Sequence, residues 1–147
     1  MRKNLPVTNV ERPLGGDTVI LSTTDHKGHI TYVNDDFIAI SGFTKEELLG
    51  VPHNIVRHPD MPAGAFAGLW QTLESGRSWI GLVKNRCKDG SHYWVDAFAT
   101  PIMQNGELVE YQSVRTRPDR RAVGRAERLY RRLNAGWPAR LLLLRSP

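Results

Sequence analysis

The apolar positions of this 147-residue chain change their period along its length, and the changes mark its organisation. After an opening stretch with Pro6, Pro13, two adjacent glycines and little periodicity, "TVILSTTD" is a β-branched run that predicts a strand. "KG" supplies a turn, and "HITYVN" returns as a second short strand with Ile30 and Tyr32 in phase. Asn34 is placed to cap the helix "DDFIAISG", whose leading aspartates favour a start and whose Gly42 favours a stop. "FTKEELLG" carries a capping box, Thr44 with Glu47, and Phe43 can staple onto Leu48. Pro62 then opens a longer helix with Phe66, Leu69, Trp70 and Leu73 at i, i+3, i+4 and i+7, closed by Gly76.

From Trp79 the period becomes two. "WIGLVKNRC", "HYWVDAFATPIM" and "LVEYQSVRTR" read as strands joined by turns at Asp89-Gly90 and Asn105-Gly106. After Pro118 a helix places Ala122, Ala126, Leu129, Tyr130 and Leu133 on one face and stops near Gly136. This order predicts an α+β domain with short helices gathered on one face of an antiparallel sheet.

The length suits one domain with a core, and 40% hydrophobic with 24% charged residues fits a soluble globular protein better than a disordered or membrane one. The longest apolar run, Leu141 to Leu144, is too short to cross a bilayer. No signal-peptide segment follows the basic start, so a cytoplasmic location is expected. A lone cysteine, Cys87, leaves no internal disulfide and fits a reducing compartment. The net charge of +5 is unevenly spread: residues 115–147 hold ten arginines against Asp119 and Glu127, and the rest is mildly acidic. The expected segments are a mobile N-terminal cap (1–17), the domain (18–117), an amphipathic Arg-rich helix (118–136) and a tail (137–147). The basic end is where a membrane surface or an acidic partner would be met. Nucleic-acid binding is not expected, because only Tyr130 and Trp137 interleave aromatics with the arginines.

The stretch "PHNIVRHPDMP", residues 52–62, concentrates His53, Arg57, His58 and Asp60 between two apolar helices. From residue types alone, it is either a salt-bridge network tying helix to sheet or a site for an anionic, hydrogen-bonding ligand. His53 and His58 are five apart in a proline-flanked loop, and no cysteine or further histidine completes a zinc set, so no metal site is expected. No nucleophile and base sit in a motif context and no glycine loop cradles phosphate, so neither a catalytic residue nor an enzyme is expected. His26, His29 and His92 read as surface residues, and Trp70 as either core or cofactor contact.

The element order, with "YVNDDFIAISGFTKEELLG" before "WIGLVKNRCKDGSHYWV", resembles a PAS domain over residues 18 to about 117. That resemblance implies a five-stranded antiparallel sheet with short helices on one face, an N-terminal cap and a C-terminal helix. "STTD", "VRHPDMP", "LW", "GLVKNRCKDGSHYWV", "VRTRP" and "LYRRLNAG" are similar, more closely, to the flavin-binding PAS domain of bacterial aerotaxis receptors. What this implies is FAD held between sheet and helices, a redox state that reports respiratory electron flow, and signalling to a chemoreceptor-type partner in trans, with a homodimer among the assemblies allowed. Carried over by position, Arg57, His58 and Asp60 belong to the FAD-binding segment, with Asp60 either orienting His58 or capping the next helix.

Asn85 is where related flavin domains place an amide against the ring edge, a group that donates and accepts at once. Trp79, six residues earlier on the same strand, shares its face, where it would either stack on or border the cofactor. His53, Trp70 and Asn34 complete the set, with helix capping the first role of Asn34. If Asp89-Gly90 is a two-residue turn, Trp94 and Asp96 share the face of Asn85; a three-residue loop with a bulge puts Tyr93, Val95, Ala97 and Ala99 there, whose small members leave room for a ring. The light-sensing branch needs a cysteine where this chain reads "HNIVRHPD", so photoadduct chemistry is not expected. Aerotaxis receptors continue into a membrane anchor and a signalling rod, whereas this sequence stops soon after "NAGWPARLLLLRSP", so the expectation is either action on a partner in trans or a fragment. The alternative reading is a cofactor-free PAS interaction module whose pocket is filled by Phe66 and Trp70.

Overall fold

The computed structural model describes residues 4–137. Ten elements follow one another: β1 (Val19–Thr24), β2 (Ile30–Val33), α1 (Asp35–Ser41), α2 (Lys45–Leu48), a 3-10 turn (His53–Val56), α3 (Ala63–Glu74), β3 (Trp79–Arg86), β4 (His92–Gln104), β5 (Glu107–Thr116) and α4 (Arg120–Asn134). The five strands form one antiparallel sheet in the order β2-β1-β5-β4-β3. First and last strands therefore pair at its centre, which closes the domain around residues distant in sequence.

Local chemistry sets the helix ends. The Asn34 Oδ1 accepts from the Phe37 N–H at 3.1 Å, and Gly42, at φ 77°, ends α1 in the left-handed conformation that a side chain resists. At α2 the Thr44 hydroxyl accepts from the Glu47 N–H at 3.1 Å while the Glu47 carboxylate accepts from the Thr44 N–H at 3.0 Å, so both arms of the capping box form. The α1–α3 layer covers one sheet face, and Phe37, Leu48 and Val56 lock into the core with Ile20, Tyr93 and Val95.

The β3–β4 hairpin settles the register. Asn85 pairs with Tyr93, Val83 with Val95, Gly81 with Ala97 and Trp79 with Ala99, so these residues share the inner face. Cys87 N–H donates to Ser91 C=O at 2.7 Å, leaving a three-residue loop whose Gly90 sits at φ 94°. The β1–β2 hairpin departs from simple alternation: a register shift at Thr23/Thr24 buries Ile30 and Val33 and leaves Tyr32 half exposed.

The outer face carries α4. Tyr130 stacks on Trp94 with ring centres 6.3 Å apart, and its hydroxyl donates to Leu82 C=O at 2.7 Å. Three expectations need correction here. Residues 8–12 of the expected cap are docked on the sheet: Thr8 N–H donates to Gly90 C=O, Arg12 N–H to His92 C=O and His92 N–H to Val10 C=O, so this stretch continues the path of β5 beside the start of β4. That docking buries His92, which is not a surface residue. Arg115, counted above with the basic end, lies in β5 with its side chain buried, so its charge belongs to the core. Leu141–Leu144 and most of the 137–147 tail lie outside the described residues.

Candidate cofactor site

Between the α1–α3 layer and the sheet lies a cavity of about 510 Å³, a volume typical of small-molecule sites. Its floor comes from inward positions of the strands: Ser22 and Thr24 on β1, Asn85 on β3, Ala99 on β4, Tyr111 and Ser113 on β5. Its roof is the 3-10 turn and α3, through His53, Asn54, Arg57, Phe66 and Trp70. Exposed Lys27, Pro52 and Gln112 form the mouth.

A sheet face that only packs against helices carries apolar side chains, because a buried polar group without a partner is unfavourable. This floor is polar instead. Thr24 Oγ1 and Asn54 Oδ1 are buried at the cavity with no hydrogen-bond partner. Beneath them Arg115 donates through Nη2 to the Ser22 hydroxyl and through Nη1 to His53 Nε2 at 3.2 Å, while its Nε–H has no partner. The Phe37 ring lies 4.9 Å from its Cζ, and among the described residues no carboxylate pairs with it. Burial, partly offset by Tyr93, lowers its pKa to about 10, still well within the charged range. The site thus holds a full positive charge with neutral neighbours.

His53 answers that charge by staying neutral. Burial first and Arg115 second push its pKa down to about 3, and since Arg115 can only donate, Nε2 is the acceptor and the ring proton sits on Nδ1. Asn85 is buried and opposite Tyr93, and its backbone pairs with Arg57. Arg57 lays its guanidinium 3.9 Å from the centre of the Phe66 ring, a cation–π contact that steadies a charged group at the cavity wall. Trp70 meets Tyr111 edge to face at 5.4 Å and closes the far wall.

Of the residues singled out from sequence, His53, Arg57, Trp70 and Asn85 line the cavity. The other four lie elsewhere. Asn34 spends its amide within the fold: Oδ1 accepts from Leu21 and Phe37, and Nδ2 donates to Val19 C=O at 2.8 Å. His58 follows Arg57 in extended backbone, so it points the other way, into a buried contact with His92 at 5.9 Å. Its Nδ1 accepts from the Asp60 N–H at 3.0 Å, and burial, reinforced by Lys84, lowers its pKa to about 4. Asp60 neither lines the cavity nor caps α3; it pairs with Lys84 at 2.9 Å, and its carbonyl accepts from Asn134 of α4. Trp79 lies on the inner face flat along Gly81, where an added Cβ would stand 2.4 Å from the indole.

Sequence reasoning missed Arg115, Ser22, Thr24 and Asn54. One signal for Arg115 was available: Tyr111 and Ser113 set the inward phase of β5, Arg115 continues it, and small Ala97 lies opposite.

A model of the PAS fold matches residues 30–115. The chain is 51% identical over 130 residues, 88% of its length, to the aerotaxis receptor of Escherichia coli, and covers 26% of that receptor. It is 33% identical over 95 residues, 64% of its length, to the nitrogen fixation regulatory protein of Klebsiella pneumoniae, and covers 19% of it. The chain thus spans about a quarter or less of these curated relatives. Among solved structures, the light-state structure of the blue-light photoreceptor Aureochrome1 LOV domain superposes with a TM-score of 0.66 at 18% identity, covering 79% of this chain and 91% of that one. A light-oxygen-voltage domain studied with a flavin analogue gives 0.64 at 23% identity, covering 69% and 78%. With its strand order, its helical layer and the matched span all in agreement, the chain belongs to the PAS family.

Proposed function

We propose that this chain is a flavin-binding PAS sensor unit that holds FAD in the inner cavity and passes its redox state to a signalling partner. The observation that carries this reading is the buried, carboxylate-free Arg115 beneath a floor with orphaned Thr24 and Asn54 oxygens. Such a floor suits a ligand that is flat, rich in donors and acceptors, and able to gain negative charge. The light-oxygen-voltage neighbour studied with a flavin analogue and the identity to the aerotaxis receptor support the same class; an energy-sensing role in the cytoplasm is part of the proposal.

Bound flavin would supply a reversible change of electron count. Asn85, donating and accepting from one amide, would orient the ring edge, and Arg115 with neutral His53 would favour the reduced, more negative form. Trp70 would wall the ring, and Arg57 with Lys27 near the mouth would meet a diphosphate, which favours FAD over the shorter mononucleotide. His58, Asp60, Asn34 and Trp79 would act as positioning residues, the first two by holding the Arg57 loop against β3. A route outward is present. Lys84, beside Asn85 on β3, pairs with Asp60, Asp60 C=O receives Asn134, and Leu82 C=O receives Tyr130, so a shift of β3 bears on α4. No group in this scheme performs catalysis on a substrate.

The test is the visible spectrum of the purified protein, with the cofactor released by heat and identified by chromatography. Twin flavin bands and released FAD are expected, and Asn85→Ala and Arg115→Met should lower retention. Released FMN would remove the diphosphate argument. A protein that stays colourless after incubation with FAD, FMN and haem would sink the flavin reading and leave a protein-interaction module.

A further inference from the structure

Tyr93, on the inner face of β4, is fully buried, yet among the described residues its hydroxyl has no hydrogen-bond partner. A tyrosine set that deep ordinarily finds one, because an unpaired buried hydroxyl is costly and phenylalanine fills the same space without it. The inward positions that follow along β4 are Val95, Ala97 and Ala99, all apolar. Packing therefore accounts for the ring and leaves the hydroxyl without a role.

Two neighbours are also incomplete. Asn85 lies directly across on β3 and lines the cavity, and among the described residues no hydrogen bond of good geometry holds its side-chain amide. It stands near enough to favour ionisation of the Tyr93 hydroxyl, although the two do not meet at hydrogen-bonding geometry. Arg115, from β5, keeps an Nε–H without a partner. Burial pushes the Tyr93 pKa up and the charge of Arg115 opposes it, so the cation acts on the same hydroxyl. The remaining titratable groups nearby are neutral: the Cys87 thiol donates to Ile40 C=O, and His53 faces Arg115.

These groups have a direction. A guanidinium only donates, so Arg115 draws the hydroxyl oxygen toward itself and turns its proton away. That proton is then free for Asn85 Oδ1, which leaves the Asn85 NH2 toward the cavity. An amide has nearly the same shape either way round, and this order of donors selects one of the two orientations.

We propose that Tyr93 is a positioning residue whose hydroxyl, turned by Arg115, takes the Asn85 carbonyl and makes the amide present N–H rather than C=O to the ligand. The role rests on the proposed flavin site and deepens it. An N–H at a ring edge is matched by a carbonyl oxygen or an unprotonated ring nitrogen, and is opposed by a nitrogen that has gained a proton. Tyr93 thus favours the less protonated form of a ring that has received electrons. With phenylalanine in its place the amide is free to turn over and accept.

The midpoint potential of the FAD-loaded protein, followed on an electrode across the neutral pH range, tests this; the electrode supplies the electrons and the buffer any proton taken up. Tyr93→Phe is expected to hold FAD and to show a potential that falls more steeply with pH than that of the wild type, by up to one further proton per electron pair. Tyr32→Phe, which removes a hydroxyl from a half-exposed ring on β2, should match the wild type. Cofactor-free Tyr93→Phe should be at least as stable in urea, because it loses an unpaired polar group. Equal slopes in the wild type and Tyr93→Phe would overturn the role of Tyr93 while the flavin site stands. A Tyr93→Phe protein that folds but sheds FAD would overturn it too, by making the hydroxyl a holding contact, and a large loss of stability would make it structural. A wild type that takes up no flavin removes the site and the role of Tyr93 together.

Discussion

Arg115 Nη1 stands 3.2 Å from His53 Nε2, a buried cation facing a buried neutral histidine, and among the described residues no carboxylate pairs with the cation. Such a pair contributes little to folding. Taking a charge out of water is costly, and where no opposite charge offsets that cost an apolar side chain of similar size removes it. Arg115→Met is therefore expected to leave the cofactor-free protein at least as stable as the wild type in urea while it weakens flavin retention. A large loss of stability would make Arg115 structural.

The same pair gives a pH dependence with a defined sign. The His53 pKa falls from an ordinary value near 6.5 to about 3 on folding, and that of His58 to about 4. Between those limits the unfolded chain binds protons that the folded chain refuses. Stability is complete above pH 6.5 and declines as the pH falls through this window. Urea midpoints at pH 7 and pH 5 should differ more in the wild type than in His53→Gln, and equal differences would contradict a buried neutral His53.

Gly81 makes room for Trp79. An added Cβ would lie 2.4 and 2.6 Å from two indole carbons, so the half-buried ring, which packs against both apolar clusters, must shift to admit it. Gly81→Ala is expected to destabilise by ~1–3 kcal/mol and to shift tryptophan fluorescence. An unchanged emission maximum and denaturation midpoint would show that the ring relaxes freely.

Asn4 ties the N-terminal segment to the roof of the cavity. Its Nδ2 donates to the carbonyls of Arg57 at 2.7 Å, Asn54 at 3.0 Å and Ile55 at 3.3 Å, all in the turn that carries the cavity-lining side chains. Asn4→Ala removes the donor these carbonyls share, although Asn54 C=O keeps the Arg57 N–H at 3.0 Å, with an expected loss of ~1–3 kcal/mol. Faster hydrogen exchange at residues 53–57 would report it, and no change there would detach the segment from the site.

Cys87 is fully buried, and its thiol donates to Ile40 C=O at 3.2 Å; burial pushes its pKa up. Alkylation of native protein should therefore run no faster than opening of the α1–β3 contact. Labelling at the rate of a free thiol would refute that burial.

The elements were legible in the sequence because the signals that form them are local. The Thr44–Glu47 box, the Gly42 stop and the α3 stripe each act over a few residues, and the small Ala97 and Ala99 pointed to the β3–β4 register. His53, Arg57, Trp70 and Asn85 were singled out with them, and the fold brings all four to one cavity. What the tertiary structure alone decided is facing and burial. Arg57 and His58 are neighbours of similar chemistry, yet the bridge to Asn85 fixes one toward the cavity and sends the other beneath the N-terminal segment. His92 is buried because residues 8–12 dock beside it, and Arg115 leaves the basic end for the floor of the site because β5 pairs with β1 across most of the chain. Burial is a property of two surfaces, and the second surface here comes from residues some 60 to 90 positions away. No local pattern carries that information.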